Sequence, residues 1–434
     1  MDNWNLLQRS LNAVWHPCSQ MKSFETTPLI PIKRGEGVWL VDYDGKRYLD
    51  AVSSWWVNLF GHNNLKIKTA IRNQLDELEH VILAGFTHAP VIELSEQLTN
   101  LTHLGHSFYA SDGASATEIA LKMSFHYWQN VNRVKKDRFI CLKNSYHGET
   151  IGALSVTDLA IFKDAYAPLL RQTHQLTSPD WRLAEVGEGA RDYAVRCAVV
   201  LEEYLSIHHD SIAAFILEPL VQCAGGMGMY HPIYLTRVRE ICDRFQIHLI
   251  LDEIAVGFGR TGTMFAFEQA NMLPDFLCLS KGITGGYLPL SVVQTTNDIY
   301  EAFYDDKVSR AFLHSHSYTG NPLACSAALA TLNIFKEEEI LNRNQDKQAY
   351  INKALSELEV VKMKGLRNTG MIWAFDVDSE NKDFARHIYL AALDRGLLLR
   401  PIGNTVYWMP PYVIEPEEMD FMIKTTIQLV TECA

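Results

Sequence analysis

Long apolar runs are missing from this chain of 434 residues. Stretches such as Ser211–Leu217 and Ile247–Leu251 fall far short of the roughly 20 residues that a bilayer-spanning helix needs, so no membrane partner is expected. The first residues, Met1-Asp2-Asn3-Trp4-Asn5, lack the basic start and apolar core of a signal peptide, and the expected location is cytoplasmic. Basic charge is also scarce. Lys and Arg number 39 against 51 Asp and Glu, a formal net charge of −12. Without a basic face a protein has little to offer a phosphate backbone, which argues against nucleic acid as the partner. Blocks of like charge are short, Glu337-Glu338-Glu339 being the densest. The eight cysteines form no Cys-x-x-Cys pair, and several sit in apolar runs such as Phe139-Ile140-Cys141-Leu142. They read as small buried hydrophobes in a reducing compartment, neither disulfides nor a zinc site. Repeats, low-complexity tracts and Gly/Ser linkers are absent too.

What is present is globular. Apolar residues make up 47% and charged residues 21%, and the length suits two or three domains, or one large domain with an appendage. The first forty residues read as irregular. Asp44-Gly45 between Gly37–Leu40 and Arg47–Ala51 predicts a hairpin. Helix-period stretches follow at Leu65–His80, Val91–Leu101, Ala116–Val131, Pro232–Phe245 and Leu323–Phe335. Between them lie short β-rich runs at Ser107–Ala110, Arg138–Leu142, Ala213–Leu217, His248–Leu251, Phe276–Leu279 and Leu290–Thr295. Such alternation predicts an α/β fold with a mostly parallel sheet, and the almost continuously apolar runs suit buried parallel strands. From residue 340 the rhythm shifts to a smaller α+β unit: a helix at 345–358, strand Met371–Val377, helix Asp383–Arg395, strands Leu397–Arg400 and Val406–Met409, and a last helix from Pro416.

In an open α/β sheet, ligands gather beyond the carboxyl ends of the strands. Four segments place reactive groups there. Ile247–Leu251 runs into Asp252-Glu253. A carboxylate there can hold a cation, at about 4 kcal/mol of Coulomb energy for 4 Å and an effective dielectric near 20. Phe276–Leu279 runs through Ser280 into Lys281, ahead of Gly282-Ile283-Thr284-Gly285-Gly286; desolvation would make its amine a nucleophile. Ser111-Asp112-Gly113-Ala114-Ser115 opens a helix whose first N–H groups can close on a phosphate, and Ser115 with Glu118 reads as a capping box. Tyr146-His147-Gly148 follows a further strand, where an aromatic ring can cover a planar cofactor. A hydroxyl-rich stretch, Ser315, Ser317 and Thr319, suggests a second phosphate contact. His314 and His316 lack a third ligand pattern, so no metal is expected. Gly257-Phe258-Gly259-Arg260-Thr261-Gly262 matches Gly-x-Gly-x-x-Gly, the mark of an NAD-dependent oxidoreductase. It begins too late after its strand, and no long amphipathic helix follows.

A lysine, an aspartate and a phosphate-cradling helix together describe a pyridoxal phosphate site. In order and flanking residues the chain resembles the class III aminotransferases of fold type I. The likeness runs through Trp15-His16-Pro17, Ser53-Ser54-Trp55-Trp56, Thr87-His88-Ala89-Pro90, Tyr146-His147-Gly148, Leu251-Asp252-Glu253, Lys281-Gly282, Gly320-Asn321-Pro322, Leu399-Arg400-Pro401 and Met409-Pro410-Pro411-Tyr412. The Trp-His-Pro, Trp-Trp and Met-Pro-Pro-Tyr segments point to the biotin branch. The resemblance implies a large cofactor-binding domain over residues 61–335, with residues 1–60 joining 336–434 in a small domain. It implies a homodimer and amino transfer from S-adenosylmethionine to 8-amino-7-oxononanoate. A class III enzyme for another ω-amine, such as ornithine or 4-aminobutyrate, is the neighbouring alternative.

By the same resemblance, Lys281, Asp252 and Tyr146 are catalytic: Lys281 condenses with the cofactor aldehyde and shuttles a proton, and Asp252 pairs with the ring nitrogen. Tyr146 and Ile254 enclose the ring, His147 lies beside it, and Gly113, Ala114 and the partner's Ser317 reach the phosphate. The implied substrate contacts are Trp55, Trp56, Tyr146, Lys281, Ser315 and Arg400. Three positions depart from the family pattern: Cys18 replaces a tyrosine, Ala114 a hydroxyl residue, and Ser317 a threonine.

Overall fold

Burial of apolar strands explains most of the architecture. In a computed structural model, which describes residues 2–357 and 363–434, the chain divides into two units: Lys66–Arg343, and Met1–Leu65 together with Asn344–Ala434.

The larger unit carries a seven-stranded sheet. In chain order its main elements are α1 (Ala89–Thr102), β1 (His106–Ala110), α2 (Gly113–Asn130), β2 (Arg138–Leu142), β3 (His174–Leu176), α3 (Ala190–His208), β4 (Ile212–Leu217), α4 (Ile233–Phe245), β5 (His248–Asp252), β6 (Phe276–Leu279), β7 (Ser291–Thr295) and α5 (Pro322–Glu337). The strand order is β1-β7-β6-β5-β4-β2-β3. β2 to β6 pair in parallel, and β7 alone runs antiparallel to both its neighbours, β6 and β1. All six residues of β4 are fully buried, as a strand covered on both faces must be. The same face of α2 sends Ala116, Ile119, Ala120 and Met123 into one apolar cluster with Ala214, Ile216, Ile250, Phe276, Cys278 and Val293. That packing fixes the start of α2 over the sheet. It also aligns the carboxyl ends of β1, β2, β4, β5 and β6, since these strands share one direction.

The smaller unit holds two sheets. Ile32–Glu36, Trp39–Asp42 and Arg47–Asp50 form an antiparallel meander, and Leu397–Leu398 adds to it in parallel beside Arg47–Asp50. Met363–Thr369, Ile372–Val377 and Thr405–Trp408 form the other, wholly antiparallel sheet. Helices Phe384–Asp394 and Pro416–Cys433 complete the unit.

Some sequence expectations need correction. The first forty residues are not irregular: Asn3–Ala13 is a helix and Ile32–Glu36 a strand. The helix buries no residue, although Trp4, Leu7 and Leu11 recur at i, i+3 and i+7 on one face; Asp2 starts it by accepting from the Asn5 N–H at 2.8 Å. The cap of α2 is Asp112, which accepts from the Ser115 N–H at 2.9 Å, while Glu118 accepts from the Gly152 N–H at 2.6 Å instead of closing a capping box. The helix expected at 345–358 spans Ile340–Ser356, and residue 358 lies outside the described residues.

Replacing Phe215, fully buried at the centre of β4, with alanine should destabilise the larger unit by about 3–5 kcal/mol. A lowered thermal midpoint in calorimetry is the check.

Candidate active site

At the end of β5 the Asp252 side chain is buried and doubly held. Its Oδ2 lies 2.7 Å from His147 Nδ1, and its Oδ1 accepts from the Ile254 N–H at 3.1 Å. His147 comes from the loop after β2, so one contact joins two strand ends. Its backbone carbonyl accepts from Thr117 Oγ1 of α2 at 2.9 Å, which ties in a third element. The other ring nitrogen, Nε2, is buried and meets no hydrogen-bond partner among the described residues.

The start of α2 closes against this cluster. A Cβ on Gly113 would come within 2.9 Å of Ile254 Cγ2, and one on Gly148, at φ +120°, within 2.5 Å of the Ala114 Cβ. Larger residues at either position would push the loops apart. The first-turn N–H groups at Gly113 and Ala114 have no intrahelical acceptor, and the helix dipole there favours an anion.

Lys281 follows β6 in a left-handed conformation, φ +47°. A side chain is seldom held there unless its surroundings enforce it. Burial lowers the pKa of the Lys281 amine, and the negative charge of Asp252 partly opposes that shift. Glu218, at the end of β4, is pushed up to about 8, first by burial and then by the Asp252 charge. It accepts from the Tyr146 N–H at 3.1 Å and the Cys223 N–H at 3.0 Å, and so sets the Tyr146 backbone. The Tyr146 hydroxyl donates to Glu149 at 2.9 Å, and its half-buried ring packs on Phe162 at 5.4 Å. Glu218 was not singled out in the sequence, although it carries the same signal as Asp252: an acid ending an apolar strand.

Other expected positions fall differently. Ser315 and Ser317 are exposed on the loop before α5 and make no side-chain hydrogen bond among the described residues. Thr319 is engaged locally, bonding the His316 backbone. No group of three His, Cys, Asp or Glu suited to a metal occurs among the described residues. Gly257–Gly262 forms a turn-rich loop followed by the short 3₁₀ segment Ala266–Ala270, not the amphipathic helix that a dinucleotide fold requires.

In the smaller unit, Ser53, Ser54, Trp55 and Trp56 form a single left-handed turn, with φ of +50°, +46°, +72° and +70°. For L-residues this hand costs roughly 1–2 kcal/mol per residue, so the surroundings must enforce it. Ser53 Oγ donates to the Met409 carbonyl at 2.7 Å and Trp56 Nε1 to the Tyr407 hydroxyl at 3.1 Å. Trp56 is buried, whereas Trp55 is 42% exposed with the Arg400 guanidinium 4.3 Å above its ring. Arg400 itself is exposed and pairs with no carboxylate among the described residues.

The family model for class-III aminotransferases matches residues 21–430. An adenosylmethionine-8-amino-7-oxononanoate aminotransferase of Helicobacter pylori is 47% identical over 440 residues, covering 99% of this chain and 98% of its own. One of the same description from Anoxybacillus flavithermus is 38% identical, covering 100% and 97%. Among solved structures, that of the Methanocaldococcus jannaschii protein so named superposes with a TM-score of 0.92 at 35% identity and full coverage of both chains. An amine transaminase from an uncultivated Pseudomonas species, in its PLP-bound form, gives 0.91 at 32% identity, covering 97% of this chain and 99% of its own.

The lysine electrostatics can be tested directly. In ligand-free protein the acylation rate of Lys281, followed by peptide mass spectrometry, should reach half its plateau at a lower pH than that of exposed lysines. Asp252→Asn should move that midpoint lower still, since the charge favouring the ammonium form is gone.

Proposed function

The chain belongs to the class-III aminotransferases, and from that premise we propose that it transfers an amino group from S-adenosylmethionine to 8-amino-7-oxononanoate, giving 7,8-diaminononanoate. Its relatives are named for this pair of substrates. The observation that carries the reading to this chain is Arg400. Stacked on Trp55, its guanidinium keeps its N–H edge free of any protein carboxylate among the described residues. Such an edge suits the bidentate capture of a carboxylate. The Trp55 surface suits a methylene chain, at roughly 0.8 kcal/mol for each methylene fully buried.

The strand-end cluster of the larger unit fits pyridoxal phosphate. It offers an amine of lowered pKa, a buried carboxylate, an aromatic ring, a buried imidazole nitrogen in want of a partner, and a helix start cleared by glycine. When bound, the cofactor supplies an aldehyde and an electron-accepting ring. Lys281 would hold it and afterwards carry a proton to and from the substrate carbon. Asp252, oriented by His147, would keep a positive charge on the ring nitrogen. Tyr146 and Ile254 would cover the two ring faces, and the N–H groups of Gly113 and Ala114 would bind the phosphate.

Ser317, exposed and without a side-chain hydrogen bond among the described residues, supports a homodimer in which this loop reaches the partner's phosphate, with Ser315 beside the substrate. Eight free cysteines, six of them buried, support a reducing, cytoplasmic setting.

The test is turnover by the cofactor-loaded protein, with 7,8-diaminononanoate detected by mass spectrometry and S-adenosylmethionine or lysine as donor. Product is expected with S-adenosylmethionine. Lys281→Ala should lose at least about a thousandfold in kcat, and Arg400→Ala should raise KM for the keto acid about 10- to 100-fold. No product with either donor overturns the assignment.

A further inference from the structure

Asp50 closes the strand Arg47–Asp50 and is fully buried. Its carboxylate is spent almost wholly on the left-handed turn that follows. Oδ1 accepts from the Ser54 N–H at 2.9 Å and the Val52 N–H at 3.4 Å. Oδ2 accepts from Ser54 Oγ at 2.6 Å and lies 3.1 Å from His62 Nε2. Asn58 Nδ2 lies 3.2 Å from His62 Nδ1, so the ring takes the amide proton there and presents its Nε2–H to Asp50.

The ends of the turn have other anchors, Ser53 on the Met409 carbonyl and Trp56 on the Tyr407 hydroxyl. Among the described residues, the hydrogen bonds on the middle of the turn all come from Asp50, acting through Ser54. Trp55 makes no side-chain hydrogen bond among the described residues, so its direction follows from the backbone hand at Ser54 and Trp55. Relaxation of that hand would turn the indole away from Arg400.

We infer that Asp50 is a positioning residue for substrate selection: it locks the left-handed turn at Ser54 and thereby holds Trp55 beneath Arg400, ready for a carboxylate-bearing chain. The inference rests on the proposed function, in which Arg400 binds the acceptor's carboxylate.

Kinetics of the cofactor-loaded enzyme test it, with 8-amino-7-oxononanoate and its methyl ester as acceptors. Asp50→Ala should raise KM for the acid about tenfold and KM for the ester, which loses only the Trp55 surface, about threefold, while kcat at saturation stays within about twofold. Adding Ser54→Gly to Asp50→Ala should restore most of the KM, because glycine takes positive φ without cost. Should Asp50→Ala fail to fold by circular dichroism, Ser54→Ala, which removes one of the four contacts, should raise KM for the acid about threefold with the same selectivity. An unchanged acid KM, equal rises for acid and ester, or no rescue by glycine overturns the role of Asp50 and leaves the proposed function standing. A wild-type enzyme that converts neither acceptor overturns both.

Discussion

The charge of Asp252 is the constraint on which the centre of the larger unit depends. An unpartnered carboxylate in an apolar interior is too costly to persist. The chain meets the cost with His147 on one oxygen and the Ile254 N–H on the other. Those partners bring the loop after β2, the end of β5 and the start of α2 to one place. The same charge then acts on its neighbours: at Lys281 it partly opposes the proton loss that burial favours, and at Glu218 it adds to the burial that keeps the carboxyl neutral well above its ordinary range. Glu218 can therefore gain or lose a proton near neutrality within the same cluster.

The smaller unit secures its chemistry by another route. There the means is conformation: four residues of the unfavoured hand, fixed by a buried carboxylate below and a strand beside them. Desolvation tunes an amine in one unit, and enforced backbone strain aims an indole in the other. Both depend on surroundings that over-determine a state the local sequence would not choose by itself.

This contrast explains what could be read from the sequence. The central parallel strands were legible because they are mostly buried, so β2 and β6 begin and end where the expected runs do, whereas β3, a three-residue edge strand that buries only Leu176, offered no such run and went unread. Asp252 and Lys281 stood out because polar groups that end such runs interrupt an otherwise continuous signal. Glu218 ends β4 in the same way, yet a lone acid before a proline drew no notice without knowledge that Asp252 and Tyr146 lie beside it. The helix Asn3–Ala13 went unread although Trp4, Leu7 and Leu11 share one face, a three-residue stripe in a segment that buries none of its residues. The left-handed turn was invisible, since Ser-Ser-Trp-Trp carries no glycine to announce positive φ. Its cause lies in Asp50, His62, Tyr407 and Met409, two of them more than 340 positions away in the chain. Adjacent tryptophans alone suggest packing, and only the fold separates buried Trp56 from presented Trp55.

The pairing of Leu397–Leu398 with Arg47–Asp50 has a consequence for biosynthesis. The strand Arg47–Asp50 finds this sheet neighbour only after roughly 350 further residues have been made. The intervening unit, Lys66–Arg343, has its whole seven-stranded sheet available long before then. Domains complete in sequence fold as they emerge, so the nascent protein carries an open sheet edge beside Arg47–Asp50 until Leu397–Leu398 has emerged. Ribosomes stalled between the two strands would release chains with that edge uncovered, which makes such chains natural clients for chaperones and proteases.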